Sequence, residues 1–570
     1  MYLKKGQFII SVVIFLSMTV ILLAGCNPTP QTSATVSPPT VAVEAPVVEP
    51  TTEPAPVEDT RGMIIYKGSK ASILTNFNPL LYDVRVWLYD GLIRFDENEK
   101  PIGDLAESWE VSEDGKVYTI KLHQGVLFHD GVEMTADDVV YTAQLTLDEK
   151  NNSLYRSKFI IGGKPVKWEK IDTYTVRATL PYASSSFLAK LSRADEIFFC
   201  ILPKHILEKC TDLTTCDFNQ HPIGTGPFKL AEFVPDQKVV LEANDNYFQG
   251  KPGVKYVIRL AYPNEQSALA AIMAGELDVS SLQEAGNVKV AEGNPDLTIY
   301  RYDSNWVMAG RVNMLNPILK DLKVRQAISY AVDRLSLVKA VIGPTTNIGN
   351  SPINLGWSAS PNVVVYNYDP EKAKSLLEEA GWVEGSDGIR EKDGQRLSLS
   401  MTFDSSYGKP DLAVGIQQYF KVVGIELTLK QLEPATAEET IYVKQDFDIY
   451  LDWQGFGVDP DIASRWIMST QGKEDYLSNP SSYSNPLVDE AFAAAGIATT
   501  TEERQKYLSK AQDLITADAP AIWLHLWQAQ SAVSKNVGGL SLPASSADMD
   551  NTGIFREPWK LTSTRPAALK

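Results

Sequence analysis

The chain has 570 residues, 44% hydrophobic and 22% charged, the balance of a soluble globular protein long enough for several domains and sizeable cores. Its formal net charge is −18. That charge argues against nucleic acid and against broad attraction to anionic lipid, since both need basic patches on the protein, and solubility is the plain reading of the acidity.

Lys4 and Lys5 precede an apolar run, Phe8 to Leu23, broken only by Ser11, Ser17 and Thr19. Leu23-Ala24-Gly25-Cys26 follows. Small residues before a cut present a thin, extended backbone to a signal peptidase. A Cys directly after them resembles the lipobox of bacterial lipoproteins, which implies a signal peptide over 1–25 and a lipid on Cys26. The alternative is an uncleaved membrane anchor, because about 16 apolar residues lie near the short limit of a span. Either reading places the body outside the cytoplasm, and the lipobox reading places it on the outer face of the cytoplasmic membrane. Asn27 to Thr60 carries eight prolines and no aromatic residue, Lys or Arg. Such a segment cannot bury enough apolar surface to offset its ordering entropy, so 26–60 reads as a disordered, extended tether.

Along the body, Tyr118-Thr119-Ile120-Lys121-Leu122 and Tyr174 to Leu180 alternate as half-buried strands do. Thr135 is an N-cap for a helix from Ala136, with Asp137 and Asp138 at its positive end. Cys200 lies in the apolar run Ile197 to Leu202 and reads as a buried free thiol. Cys210 and Cys216 flank a short polar stretch and form the favoured disulfide in an oxidising compartment. Val324, Ala327, Ile328 and Ala331 form an apolar helical stripe after Asp321. Asp369-Pro370 opens another helix, with Ala373, Leu376, Leu377 and Ala380 on one face and Gly381 at its end. These stripes are core faces. No short internal repeat is visible.

Sites for chemistry are scarce. The five histidines, His123, His129, His205, His221 and His525, are scattered without zinc spacing. His129-Asp130-Gly131 reads as a turn. Gly224-Thr225-Gly226-Pro227 resembles a phosphate loop, but no Gly-Lys-Ser/Thr follows, so it reads as a tight turn into Phe228. No G-x-S-x-G elbow or EF-hand loop occurs. Carboxylates are too many for a glycosidase-like pair to be excluded. The expectation is a binding protein rather than an enzyme, with no catalytic residue, metal or cofactor.

Ordered blocks then accumulate. They are Asn78-Pro79-Leu80, Tyr89-Asp90-Gly91-Leu92, Leu105-Ala106-Glu107-Ser108-Trp109, Gly131 to Val139, and Gly224-Thr225-Gly226-Pro227-Phe228. Ala274-Gly275-Glu276-Leu277-Asp278, Val324-Arg325-Gln326-Ala327-Ile328, Ala331-Val332-Asp333-Arg334, Tyr368-Asp369-Pro370, Gly424-Ile425 and Asp448 to Trp453 continue the series. Over roughly Met63 to Trp527 the chain resembles the family 5 extracellular solute-binding proteins, the peptide/nickel/oligopeptide-binding components of ABC importers. The resemblance implies an α/β, periplasmic-binding-protein-like two-lobed fold, hinged, with an extra domain. By analogy 61–92, 218–318 and 520–570 make lobe I, 93–217 the extra domain and 319–519 lobe II. Two chain crossings would form the hinge, closure would bury the solute, and a membrane permease would read the closed monomer.

In peptide-binding relatives the stretch after the Asp-Trp strand lines the cleft, and an Asp three residues after the Trp holds the peptide ammonium. Here the stretch is Trp453-Gln454-Gly455-Phe456-Gly457-Val458-Asp459-Pro460, with Phe456 at that position. A phenyl ring does not compensate a buried ammonium, so an ordinary free-amine peptide in that pose is disfavoured. Asp459 is either a substitute carboxylate or part of an Asp-Pro turn. Trp453 and Phe456 suit stacking on a sugar ring or an apolar side chain, and Trp306 and Tyr82 are further cleft candidates. A peptide or peptide-like solute leads, an oligosaccharide is the alternative ligand, and a sensor that hands its closed shape to a receptor is the alternative role.

Overall fold

The computed structural model describes residues 59–68, 85–96, 100–151, 153, 155–161, 163–192, 199–213, 215–455, 459–460, 479–498, 500–540, 555 and 557–567. Cys26, Tyr82 and Phe456 lie outside them. Among the described residues no helix is long and apolar enough to cross a membrane.

Strand β1 (Gly62–Gly68) opens the body. The chain then leaves for a separate layer made of β2 (Ala106–Val111), β3 (Val117–Leu122), helix α1 (Ala136–Leu147), β4 (Lys167–Asp172) and β5 (Thr175–Thr179). Its antiparallel sheet has the order β2-β3-β5-β4. In β3 the alternation expected from sequence puts Tyr118, Ile120 and Leu122 inside. The Thr135 side chain accepts from the Asp137 N–H, and Asp138 reaches back to the Thr135 N–H, so the reciprocal cap satisfies two donors at the start of α1. Phe128, Phe159, Trp168, Phe187 and Phe199 fill the core of this layer.

The chain returns through β6 (Phe228–Val234), β7 (Lys238–Ala243), β8 (Val254–Ala261) and β9 (Val279–Ser281) to the long strand β10 (Leu297–Val312). Helices α2 (Leu322–Tyr330), α3 (Arg334–Val341) and α4 (Pro370–Glu379) follow, then β11 (Ser398–Phe403), α5 (Lys409–Val422), β12 (Glu426–Gln431) and β13 (Ile449–Gly455). Helices α6 (Pro486–Ile497) and α7 (Thr501–Asp518) lead to a second long strand, β14 (Ala521–Ser534). Asp321 and Asp369 cap α2 and α4 through their carboxylates, and the two apolar stripes are buried as read from sequence.

Among the described residues the large sheet has the order β6-β7-β8-β1-β9-β14-β10-β13-β11-β12. Of the described strands, only β10 and β14 join its halves. They pair antiparallel from Leu297 opposite Ser534 to Arg311 opposite Ala521, with the register broken between Asp303 and Val307. On one side of that break β14 takes β9 as partner, and on the other β10 takes β13. Gln528 donates to Asp303 at 3.1 Å beside the break, and Asn347 donates to the same carboxylate.

The first layer docks on the large sheet through two of the motifs. Asp90, fully buried, accepts from the Thr225 hydroxyl at 2.9 Å and the Tyr247 hydroxyl at 3.0 Å. His129 contacts Gly226 O through Nε2 at 3.0 Å, while its Nδ1 faces the Gly224 N–H at 3.2 Å. Nε2 therefore carries the proton and Nδ1 accepts, which fixes a neutral ring. Gly224 and Gly226 lie so close to Trp87 and Leu88 that a Cβ on either would stand 2.0–2.4 Å from Leu88 backbone atoms. This loop is a docking bend, and its glycines are there for backbone approach. Cys210 and Cys216 are joined in a disulfide, and Cys200 is a buried thiol outside it.

The last described segment straps the first half. Arg565 donates to Asp278 at 2.7 Å and to Gly275 O at 2.6 Å, and its carbonyl accepts from Met63 N–H. Asp278 is fully buried and also accepts from the Ile65 N–H at 2.8 Å.

Candidate ligand-binding site

Strands β11, β12 and β13 run parallel, and their carboxyl ends are where loops in such sheets hold ligands. Trp453 lies near the end of β13, opposite Met308 of β10. Alternation puts Trp453 and Gly455 on one face and Gln454 on the other. Trp306 is half-buried and pairs with Gly455, where a Cβ would stand 2.3 Å from its ring, so the glycine makes room for the indole. The opposite face of the two long strands, with Val307, Ala309, Trp523 and Leu526, is closed by α6 and α7.

On the Trp453 face four rings form a corner. Trp453 meets His525 and Trp527 edge-on, each at 5.0 Å between centroids. Tyr407 stands edge-on to Trp527 at 5.1 Å and to Trp453 at 6.4 Å. Trp453, Trp527 and His525 are buried, whereas Tyr407 is 49% exposed. Among the described residues the Nε1 atoms of Trp453 and Trp527, Nε2 of His525 and Nε2 of Gln454 are buried without a hydrogen-bond partner. Such orphans are costly in a folded interior and mark places that a ligand or water can satisfy. His525 Nδ1 lies 3.0 Å from Leu526 O. Its proton is therefore on Nδ1, and Nε2 offers a lone pair.

Beside the corner lies a buried charge cluster. Lys409 donates to Asp404 at 2.5 Å and to Asp452 at 2.7 Å. Tyr450 donates to Asp452 at 2.7 Å, and Arg311 approaches the same carboxylate at 3.7 Å. Two carboxylates thus face two cations. Burial pulls the Lys409 ammonium down, but Asp452 and Asp404 outweigh it and hold the group above its ordinary value. Burial likewise pushes Asp404 up, but its bonds from Lys409 and Ser406 hold it below the ordinary carboxylate value.

Of the residues singled out from sequence, Trp453 and Trp306 line the same face of β10 and β13, and Gln454 faces away from them. Gly455 seats the Trp306 ring. Tyr82 and Phe456 are outside the described residues. Asp459 is buried and bound by both terminal nitrogens of Arg504, at 2.7 and 2.5 Å, and Arg504 lies over the Trp357 ring at 5.3 Å. Its carboxylate is thereby engaged by a guanidinium. Tyr407, Lys409, His525 and Trp527 were not legible as site residues. The one sequence signal was the aromatic run Trp523-Leu524-His525-Leu526-Trp527. No group of three or more His, Cys, Asp or Glu placed to hold a metal ion occurs among the described residues.

Burial lowers His525 and His129 to about 4. The unfolded chain takes up protons below about 6.5 whereas the folded chain does not, so their contribution is complete above that pH and is lost as pH falls towards 4. His525 is 2% exposed, while His129 keeps some solvent contact and contributes less. The urea midpoint is expected to fall between pH 7 and pH 5, as the unfolding free energy drops by up to about 1.4 kcal/mol per pH unit for His525 and by less for His129. A level midpoint across that interval would contradict the assignment.

The family description "Bacterial extracellular solute-binding proteins, family 5 Middle" matches residues 100–475. The chain is 31% identical over 474 residues to the oligopeptide-binding protein AppA of Bacillus subtilis, covering 80% of this chain and 84% of that one. The crystal structure of B. subtilis AppA with a nonapeptide superposes with a TM-score of 0.73 at 28% identity, covering 89% of this chain and all of that one. NikZ of Campylobacter jejuni in complex with Ni(L-His) superposes with a TM-score of 0.75 at 29% identity, over 88% and 99% of the two chains.

Proposed function

Since the chain belongs to the family 5 bacterial extracellular solute-binding proteins, the substrate-binding components of ABC importers that work outside the cytoplasm, we propose that it captures a peptide or peptide-like solute by hinged closure and delivers it to a membrane permease. The lipid on Cys26 and the tether hold the monomer at the outer face of the membrane. The observation that carries this reading is the ring corner around Trp453, with its unpaired N–H groups, at the carboxyl ends of the parallel strands and beside the two described strands that join the halves of the sheet.

Closure turns on the register break at Asp303–Val307, where β10 and β14 change partners. A solute bridging the ring corner and the first half favours the closed form by the contacts it makes only there. Asp404, Asp452 and Asp459 are each paired with a cation. None of the three is unpaired for a free ammonium, so the peptide is held by its backbone and side chains, as in strand addition. The relatives whose structures were solved with a nonapeptide and with Ni(L-His) support a solute of amino-acid chemistry.

An oligosaccharide is the second reading. Paired indole N–H groups and one imidazole lone pair among ring faces suit hydroxyls, which both donate and accept. Calorimetry with a tetrapeptide library and an oligosaccharide panel, combined with small-angle scattering, tests both. Peptide binding with a smaller radius of gyration is expected. Binding of sugars alone would replace the peptide by a sugar, and an unchanged radius with every bound compound would overturn hinged capture.

A further inference from the structure

The segment Asp404-Ser405-Ser406-Tyr407-Gly408-Lys409 links β11 to α5 and is tied at both ends. Asp404 accepts from the Ser406 N–H at 2.7 Å and from the Ser406 hydroxyl, and the Lys409 N–H donates to Ser406 O at 3.1 Å. The Lys409 ammonium then clamps Asp404 to Asp452, next to Trp453 in β13. Within this frame Tyr407 has φ of +55° and Gly408 φ of +72°. Glycine adopts such a backbone freely, but a tyrosine is held there only when its surroundings demand it.

This backbone sets the phenol ring edge-on to Trp527 and Trp453, and Tyr407 is 49% exposed. The two indoles beneath it are 5% exposed each. Of the four described rings of the corner, Tyr407 is the exposed one. The described charge cluster beside it is balanced, Asp404 and Asp452 against Lys409 and Arg311.

From these observations we propose that Tyr407 is a specificity-determining residue, a fixed platform that selects solutes carrying an uncharged ring, with Lys409 as the residue that positions it. The proposal rests on the solute-binding reading above and deepens it, naming the chemical group the site prefers. An aromatic or pyranose ring packs on the exposed phenol face and gains dispersion and quadrupole contacts that a chain without a ring does not.

The test uses intrinsic tryptophan fluorescence and calorimetry on the full soluble body with four probes. These are the capped tetrapeptides Ac-Ala-Phe-Ala-Ala-NH2 and Ac-Ala-Ala-Ala-Ala-NH2, cellotetraose, and sorbitol. At least one ring-bearing probe is expected to bind about tenfold tighter than its ring-free counterpart. Tyr407→Gly should abolish that preference, and Tyr407→Phe should restore it. Because glycine relaxes the left-handed backbone, the Tyr407→Gly protein is expected to melt at or above the parent temperature. A preference that survives Tyr407→Gly, or a melting temperature that falls in step with the affinity, would make Tyr407 a packing residue and overturn the proposal while leaving solute capture intact. Equal binding of ring-bearing and ring-free probes, or no binding of any of the four, would also overturn it. Capture itself stands or falls on the wider panel and on scattering.

Discussion

Lys409→Met is expected to lower the unfolding free energy by about 3–5 kcal/mol, because it leaves a buried carboxylate without its counter-charge. Arg311 remains 3.7 Å from Asp452, so the surplus is a single negative charge shared by Asp404 and Asp452. Methionine fills much of the lysine volume, which keeps cavity formation out of the result. The pH dependence identifies the cause. In the parent, Asp404 is held below its ordinary value and contributes stability that is lost only when pH falls through that lowered value. In the variant the uncompensated Asp404 carboxylate binds a proton more readily in the folded state than in the unfolded one. The deficit should therefore be largest at pH 7 and narrow towards pH 5. Urea unfolding of both proteins at the two pH values checks this, and a deficit that is absent or independent of pH would contradict it.

Gly226→Val is the other large expected effect, a loss of about 3 kcal/mol or more, since overpacking against immovable atoms exceeds the usual cost of a tight core. The new Cβ would stand 2.4 Å from Leu88 C and 2.5 Å from Trp87 O. Both are backbone atoms, so no side chain can rotate away. Accommodation requires the loop to lift, which breaks the contact between His129 and Gly226 O and loosens Asp90 from Thr225. The damage should be local at first, with the α1 layer losing protection before the large sheet. Gly286→Ala is the matched control. It lies in a helix, and nothing stands within 4 Å of its added Cβ, so stability is expected to rise by about 0.4–1 kcal/mol through the unfolded state. Melting of the Gly226→Val protein at the parent temperature would show that the approach is not obligatory.

Local features were readable because their causes are local. Thr135, Asp321 and Asp369 cap helices using atoms within three residues, and the stripes they introduce keep a period that needs no tertiary knowledge. Trp453 could be singled out as a candidate because the blocks around it resemble a family. The remainder of the site depends on pairings at long separation. Asp459 looked like a spare carboxylate or a turn residue, and its partner Arg504 is 45 positions away. Gln528 and Asp303 meet across 225 positions. The Tyr407 backbone could not be anticipated, since nothing in Ser-Ser-Tyr-Gly distinguishes a strained presenter from an ordinary turn. β10 was equally opaque, because its register break disturbs the alternation that marks strands. The glycines of 224–226 illustrate the opposite error, in which a phosphate-like spacing arises from the need of two backbones to touch.

The strap formed by Arg565 has a consequence for biogenesis. Asp278 waits 287 positions for its counter-ion, and the sheet's central partner for β9 arrives only with residues 521–534. A ribosome or translocase delivering this chain from its amino end therefore releases a first half whose middle strands have open edges and one buried acid without a mate. The large sheet cannot close until residues 521–534 have emerged, nor Asp278 find its counter-ion until Arg565 has. For a polypeptide that works beyond the cytoplasm, that ordering keeps the nascent chain threadable during passage and defers locking to the far side.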